Sequence, residues 1–168
     1  MSLSMYQASV PVFVRLLGNL AEILRKAEAD ADARKIDASV FLNARLAPDM
    51  FPLVRQVQIA ADAAKSCAAN LAGLPVPSYP DDETSFAELQ ARIAKTVDFI
   101  QGVSAEQIDG SEAREIVLKR RDKETRFLGQ PYLLTYVYPN FFFHITTAYD
   151  ILRHNGVQIG KRDYLGAF

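Results

Sequence analysis

An apolar stripe at helical spacing dominates the first third of the sequence and requires an apolar partner surface. Its members recur every three or four residues, which places them on one face of an α-helix. They are Phe13, Leu16, Leu17, Leu20, Ile23, Leu24 and Ala27. Ser2 or Ser4 is a candidate cap at the start of this helix, and Pro11 predicts that the helix begins or kinks nearby.

Two further long helices are bounded by start and stop residues. Asp49 is a candidate N-cap for a helix over residues 50–71, and Gly73 supplies its C-terminal stop. Residues 85–88 read Ser-Phe-Ala-Glu, which is a capping box, and they open the next helix. Gly102 ends that helix.

The segments between these helices carry signals of their own. Residues 74–80 are proline-rich and predict a long extended crossover, which suits two helices that are not simple hairpin neighbours. Residues 115–118 and 125–128 flank a charged turn at 121–124 and predict a small β-hairpin. Short helical turns are expected over residues 39–45 and 104–108.

The last helix runs through the most aromatic part of the chain. Pro131 suits its first turn, Pro139 predicts a kink, and Gly156 ends it. A strand over residues 132–138 is the alternative, because that stretch is aromatic and partly β-branched. Together the elements predict an all-α fold: a four-helix bundle with a small β-hairpin before the last helix, in a single domain over residues 1–168.

Composition narrows the classes of function. The formal net charge is -1, so the chain lacks the basic surface expected of a protein that binds nucleic acid. The single cysteine, Cys67, excludes an intrachain disulfide and is expected to be a buried thiol at a helix contact. No apolar run approaches the length of a membrane span, and the N-terminus does not read as a secretory signal. We therefore expect a cytoplasmic protein that binds neither nucleic acid nor membrane.

His144 is the main candidate for chemistry. Asn140 lies four residues before it and shares its helix face. Gln58 of the second long helix is the candidate third ligand of a metal, with Gln56 and Asp62 as alternatives. A tight transition-metal site takes three or four ligands. The competing interpretation is a core histidine that hydrogen-bonds Asn140 or a backbone carbonyl. His154, the other histidine, lies in the last helical turn, where it complements the helix dipole.

Aromatic residues surround more than one side of the last helix. They are Tyr132, Tyr136, Tyr138, Phe141, Phe142 and Phe143. The bundle core explains part of this surplus, because a helix that is apolar on several faces is buried on several faces. A dimer interface and an aromatic ligand pocket are the alternatives for the rest.

The residues from His144 onward also carry a family likeness. Gly156 lies twelve residues after His144, and Leu152 with Arg153 forms a Leu-Arg pair between them. This spacing resembles the last-helix signature of the DinB/YfiT-like helical-bundle superfamily. The runs over residues 139–144 and 148–157 look more closely like a bacterial family known only as a domain of unknown function within that superfamily.

The resemblance implies an up-down-down-up four-helix bundle that is often dimeric. In many members three histidines, one on the second helix and two on the last, bind a divalent metal. Carried over by position, the two histidines of the last helix fall on Asn140 and His144, and Gln58 or Gln56 stands nearest to the third. Some members are thiol-dependent transferases or isomerases, and others look like metal-dependent hydrolases.

We therefore expect an uncharacterised DinB-like bundle, a homodimer, that binds a small molecule. The residues His144, Asn140 and Gln58 would form a degenerate site for a divalent metal such as Zn, Ni or Fe. One alternative is a metal-dependent hydrolase or a thiol-dependent transferase. The other is a non-catalytic dimeric interaction module.

Overall fold

The chain is mostly helical, as predicted, in a computed structural model that describes residues 3–120 and 123–167. In chain order the elements are α1 (Val10–Arg34), α2 (Ala38–Leu42), α3 (Leu53–Ala72), α4 (Phe86–Gln101), α5 (Ala105–Ile108), β1 (Glu115–Arg120), β2 (Lys123–Leu128), α6 (Gly129–Pro131), a π-helical segment (Tyr132–Val137), α7 (Tyr138–His154) and α8 (Lys161–Leu165). The four long helices are α1, α3, α4 and α7. Helix α3 packs against both α4 and α7, and α1 packs against the same two helices.

The predicted apolar stripe of α1 faces the core of this assembly. Its residues Phe13, Leu17, Leu20 and Leu24 have no exposed surface. Alanines at helical spacing on α3 are equally buried, and their small side chains let the neighbouring helices approach closely. Cys67 lies among them as expected, and its burial raises the pKa of its thiol.

The N-caps of α1 and α3 differ from the predicted ones, although α1 begins next to Pro11 as expected. Ser4 caps a preceding turn, where its hydroxyl accepts a hydrogen bond from the Gln7 N–H, and α1 begins only after Ser9; Ser2 lies outside the described residues. Helix α3 begins after Pro52 rather than after Asp49. The extended backbone of Pro52 and a hydrogen bond from the Leu53 N–H to the Ala44 carbonyl hold the preceding segment away from helical geometry.

The other helix boundaries follow the sequence signals. Gly73 adopts a left-handed conformation with φ of 70° and closes α3. The Ser85 hydroxyl accepts from the Glu88 N–H at 3.2 Å, while the Glu88 carboxylate accepts from the Ser85 N–H at 3.0 Å. This completes the predicted capping box of α4, and Gly102 ends the helix.

The stretch before α7 is helical, so the alternative of a strand over residues 132–138 is wrong. The π-helical segment widens the helix over one turn directly before α7, where Pro139 occupies the first turn. Because proline has no N–H to donate, an irregular turn at this point accommodates its ring without breaking the helix. Thr135 donates its hydroxyl hydrogen to the Pro131 carbonyl at 2.6 Å within the widened turn.

The predicted hairpin is present and packs onto the start of the last helix. Strands β1 and β2 are antiparallel, with Glu115 opposite Leu128 and Ile116 opposite Phe127. The predicted turn includes residues 121 and 122, which lie outside the described residues. The Phe127 ring lies 5.3 Å from the Tyr136 ring, centroid to centroid, so the hairpin is fixed against the aromatic part of the chain.

The segment that follows α7 folds back on α1. Asn19 of α1 donates its amide hydrogen to the Tyr164 carbonyl at 2.9 Å, and Lys26 pairs with Asp163 of α8. Within the described ranges no helix is both long and apolar enough to cross a membrane.

The crossover between α3 and α4 is held by a buried cation. The Arg92 guanidinium of α4 donates to the Pro80 carbonyl at 2.8 Å, and it pairs with three carboxylates. These are Asp62 at 3.0 Å, Asp81 at 2.9 Å and Glu83 at 2.8 Å. Only 2% of the Arg92 side chain is exposed. Water therefore screens the attraction between this guanidinium and its carboxylates poorly.

Replacement of Arg92 by methionine is expected to lower the free energy of unfolding by about 3 kcal/mol or more, because partly buried carboxylates lose their cation. The matched control is Arg126→Met. Arg126 likewise pairs with carboxylates, in this case two, but its side chain is 60% exposed. The Arg126→Met change is expected to lower the free energy of unfolding by about 1 kcal/mol or less. Urea denaturation of both variants measures the difference, and equal losses would contradict the role given to Arg92.

Candidate functional site

A cleft of about 420 Å³ opens along α3. Its other walls are formed by α7 and the π-helical segment before it, by the hairpin and by the crossover. From α3 it is lined by Arg55, Ile59, Asp62, Ala63, Ser66 and Asn70. The opposite walls are Tyr132, Tyr136, Val137 and Asn140, with Val117, Leu118 and Lys119 of β1 and Val76 of the crossover. The volume falls within the range of ordinary small-molecule sites.

The α3 wall follows from helical spacing. Its residues recur at intervals of three and four, so they share one face. Ala63 and Ser66 are small and leave the space that forms the centre of the cleft, while larger residues stand at both ends. The sequence alone did not predict that this face of α3 lines a cleft, because its mixture of apolar and polar residues has no distinctive pattern.

Neutral polar groups in the cleft are open for hydrogen bonding. The side chains of Asn140 and Ser66 are half-buried, and no residue of the described chain hydrogen-bonds to either of them. Asn70 donates its amide hydrogen to the Tyr132 hydroxyl at 3.0 Å, which leaves its amide oxygen without a donor among the described residues. A side-chain amide offers two donors and an acceptor oxygen, so the cleft retains considerable unused capacity.

The charged groups of the α3 wall are already paired. Arg55 forms an ion pair with Asp81 of the crossover and donates to the Gln58 amide oxygen at 2.8 Å. Asp62 accepts from Lys65 at 2.7 Å and from Arg92 at 3.0 Å. The electrostatic field in the cleft is therefore weaker than its charged lining residues suggest.

His144 is buried beside the cleft, and its hydrogen bond assigns its tautomer. Its Nδ1 lies 2.6 Å from the Gln56 amide oxygen, and the Gln56 amide nitrogen donates to the Phe51 carbonyl at 2.9 Å. Because the Phe51 carbonyl fixes the orientation of the Gln56 amide, Nδ1 of His144 carries the proton and Nε2 keeps its lone pair. Burial, and then the nearby Arg55 charge, hold the pKa of His144 below its ordinary value of 6.5.

The structure places Gln56, rather than Gln58, against His144. Gln58 is buried on another side of α3, where its amide nitrogen donates to Glu83 of the crossover at 2.7 Å. Residues two apart on a helix do not face the same way, which explains why only one of the two glutamines meets α7. His154 is exposed in the last turn of α7, at the position predicted for it.

The structure gives each of the three candidate metal ligands a different set of contacts. Asn140 lines the cleft, His144 is bonded to Gln56, and Gln58 faces the crossover. The Gln58 oxygen accepts from a guanidinium, and the same Arg55 charge acts on His144, so a divalent cation would meet a positive charge there. Within the described ranges, no group of three or more His, Cys, Asp or Glu side chains is placed to hold a metal ion.

Comparison with known proteins identifies relatives of the whole chain. The family described as "Domain of unknown function (DUF1993)" matches residues 5–165. A crystal structure of a DinB family member protein from Shewanella denitrificans is 44% identical in sequence, with a TM-score of 0.88. The alignment covers 97% of this chain and 92% of that chain. No protein of curated function matches the chain.

The lowered pKa of His144 predicts a pH dependence of stability. Below pH 6.5 the unfolded chain takes up a proton at this histidine while the folded chain does not, so the free energy of unfolding falls as the pH drops from 6.5 to the folded pKa. The variant His144→Gln is expected to lose this part of the pH dependence, whereas His154→Gln is expected to keep it. Urea denaturation at a series of pH values tests the difference. An identical pH profile in wild type and His144→Gln would contradict the assignment.

Proposed function

The chain belongs to DUF1993, a family of DinB-like proteins of unknown function, and we propose from this premise that it binds a small organic molecule without a resident metal. The site is the cleft between α3 and the last helix. One observation carries the proposal. Apolar and aromatic side chains line the same cleft as neutral polar groups that are open for hydrogen bonding. Ligand sites in proteins commonly combine a largely apolar lining with a few polar groups that fix orientation.

The positive charge of Arg55, which acts on His144 and bonds the Gln58 oxygen, supports a site without metal. Gln56 occupies the α3 position that meets this histidine, and its oxygen is a hydrogen-bond acceptor for Nδ1. An amide oxygen is a poor ligand for the borderline-soft metals that prefer imidazole or thiolate. The metal-dependent hydrolase or thiol-dependent transferase stays an alternative, and it would need three or four convergent ligands.

The proposed fold arrangement is the up-down-down-up bundle, in one domain over residues 1–168. The path of the crossover supports it. The Tyr79 ring lies 3.9 Å from the Lys65 ammonium, and farther along the crossover Glu83 meets Gln58, which is nearer the start of α3. The crossover thus returns toward the start of α3 before α4 begins, as two successive helices of the same direction require. An experimental structure with α3 and α4 antiparallel would contradict this arrangement.

The expected homodimer stays a prediction, and two exposed aromatic side chains support it. Phe143 is 54% exposed, and its ring stands edge-on to the His144 ring. Phe51 is 55% exposed, and its backbone carbonyl accepts the hydrogen bond that orients the Gln56 amide. Exposed phenylalanines of this kind are enriched at protein interfaces. A strictly monomeric protein in sedimentation velocity would count against both the dimer and the interaction-module alternative.

A fragment screen tests the proposed cleft. Compounds that raise the melting temperature are expected to perturb backbone amide signals of Ala63, Ser66 and Asn140 in NMR spectra. The variant Asn140→Leu removes both hydrogen-bonding ends of an open amide, so it is expected to weaken such compounds by about tenfold. The same change at exposed Asn43 in the C-cap of α2 is the matched control and is expected to leave binding unchanged.

The outcomes separate clearly. Hits that map to the cleft and respond only to Asn140→Leu support the proposed function. A screen that yields no cleft-binding compound, or hits that ignore the Asn140 change, would overturn it.

A further inference from the structure

The charge balance around the cleft indicates what kind of ligand it accepts. The cations Arg55, Lys65 and Arg92 and the carboxylates Asp62, Asp81 and Glu83 form one continuous network of ion pairs. The network contains equal numbers of positive and negative groups. A charged ligand would therefore compete with partners that are already in place, and it would lose its own hydration on entry.

Lys119 is the charged lining residue that forms no ion pair within the described ranges. It lies on β1 and is exposed, so water and salt screen its charge. Among the lining residues that the structure describes, its position at the hairpin makes it a feature that favours an anion. The experiment below includes an anionic probe for that reason.

The open groups of the cleft are neutral and of both hydrogen-bonding kinds. Asn140 of α7 and Ser66 of α3 each offer a donor and an acceptor, and the Asn70 oxygen adds a further acceptor. A site built to hydrogen-bond a neutral group discriminates strongly against analogues that leave its polar atoms unpaired. A carboxamide matches such a set, because it also presents both a donor and an acceptor.

The aromatic end of the cleft favours a flat ring. The Tyr132 and Tyr136 rings are stacked, with centroids 5.8 Å apart and an angle of 19° between their planes. The hairpin residue Phe127 lies against both rings, so their orientation is held by tertiary packing. A planar ligand gains offset or edge contacts with rings that are already fixed.

Resting on the proposed function of the cleft, we propose that its ligand class is an uncharged aromatic compound that carries a carboxamide. The ring lies toward Tyr136, and the carboxamide bonds the open polar groups of Asn140 and Ser66. The occupant thus differs from an aromatic acid and from an aromatic amine both in charge and in offering a donor together with an acceptor.

Three probes of similar size test this class: benzamide, benzoate and benzylamine. Each is titrated into the full chain at pH 7.5 and followed by NMR. Benzamide is expected to bind about tenfold more tightly than either charged probe, as one well-made neutral hydrogen bond predicts. Asn140→Leu is expected to abolish this preference, and Asn43→Leu is expected to retain it. Melting temperatures of the two variants confirm that both are folded.

Other outcomes overturn the class. Benzoate as the tightest probe, with the preference lost in Lys119→Met, would assign the cleft to an anion and leave the proposed function in place. Benzylamine as the tightest probe would assign it to a cation. If none of the three binds while the fragment screen yields cleft ligands, the carboxamide class is wrong; if the screen also yields none, the proposed function fails with it.

Discussion

The buried guanidinium of Arg92 is the interaction on which the arrangement of the cleft depends. It ties the crossover to both α3 and α4 through the Pro80 carbonyl and three carboxylates. A proline-rich segment has few backbone donors to anchor itself, so side-chain contacts have to fix its path. Because Val76 of this crossover lines the cleft, the ion pairs of Arg92 help set the shape of the site.

The same network decides which polar groups the cleft presents. Asp62 and Arg55 point into the cleft region but are paired with Lys65, Arg92 and Asp81. Neutral groups such as Asn140 are left as the open ones. On the neighbouring face, Gln56 fixes the tautomer of His144, so that histidine is a neutral, oriented group and not a free cation. Both features favour recognition by hydrogen bonding over recognition by charge.

Local sequence signals predicted most of the fold. The Ser85 capping box and the Gly73 stop work through contacts within a few residues, so the sequence alone identifies them. The π-helical segment was missed, although Pro139 predicted an irregularity near it. The start of α3 was missed because a hydrogen bond from the Leu53 N–H to the Ala44 carbonyl helps to decide it. Such a contact reaches outside the helix whose start it helps to decide.

The candidate site was predicted only in part for the same reason. His144 and Asn140 follow from one helix face, and the histidine is buried while the asparagine lines the cleft. The choice between Gln56 and Gln58 depends on how α3 is rotated toward α7, which periodicity alone does not specify. Ser66, Asn70 and the hairpin residues join the site only through tertiary packing.

Metal content is the most direct test of a cleft that recognises neutral molecules without a metal. The native protein, purified without chelators and then equilibrated with Zn, Ni and Fe salts in turn, is compared with His144→Ala by elemental analysis after removal of free ions. The account predicts well below about one equivalent of each metal per chain in both proteins, because a tight site needs three or four convergent ligands. About one equivalent in the native protein, lost in His144→Ala, would contradict the account and restore the metal-dependent alternatives.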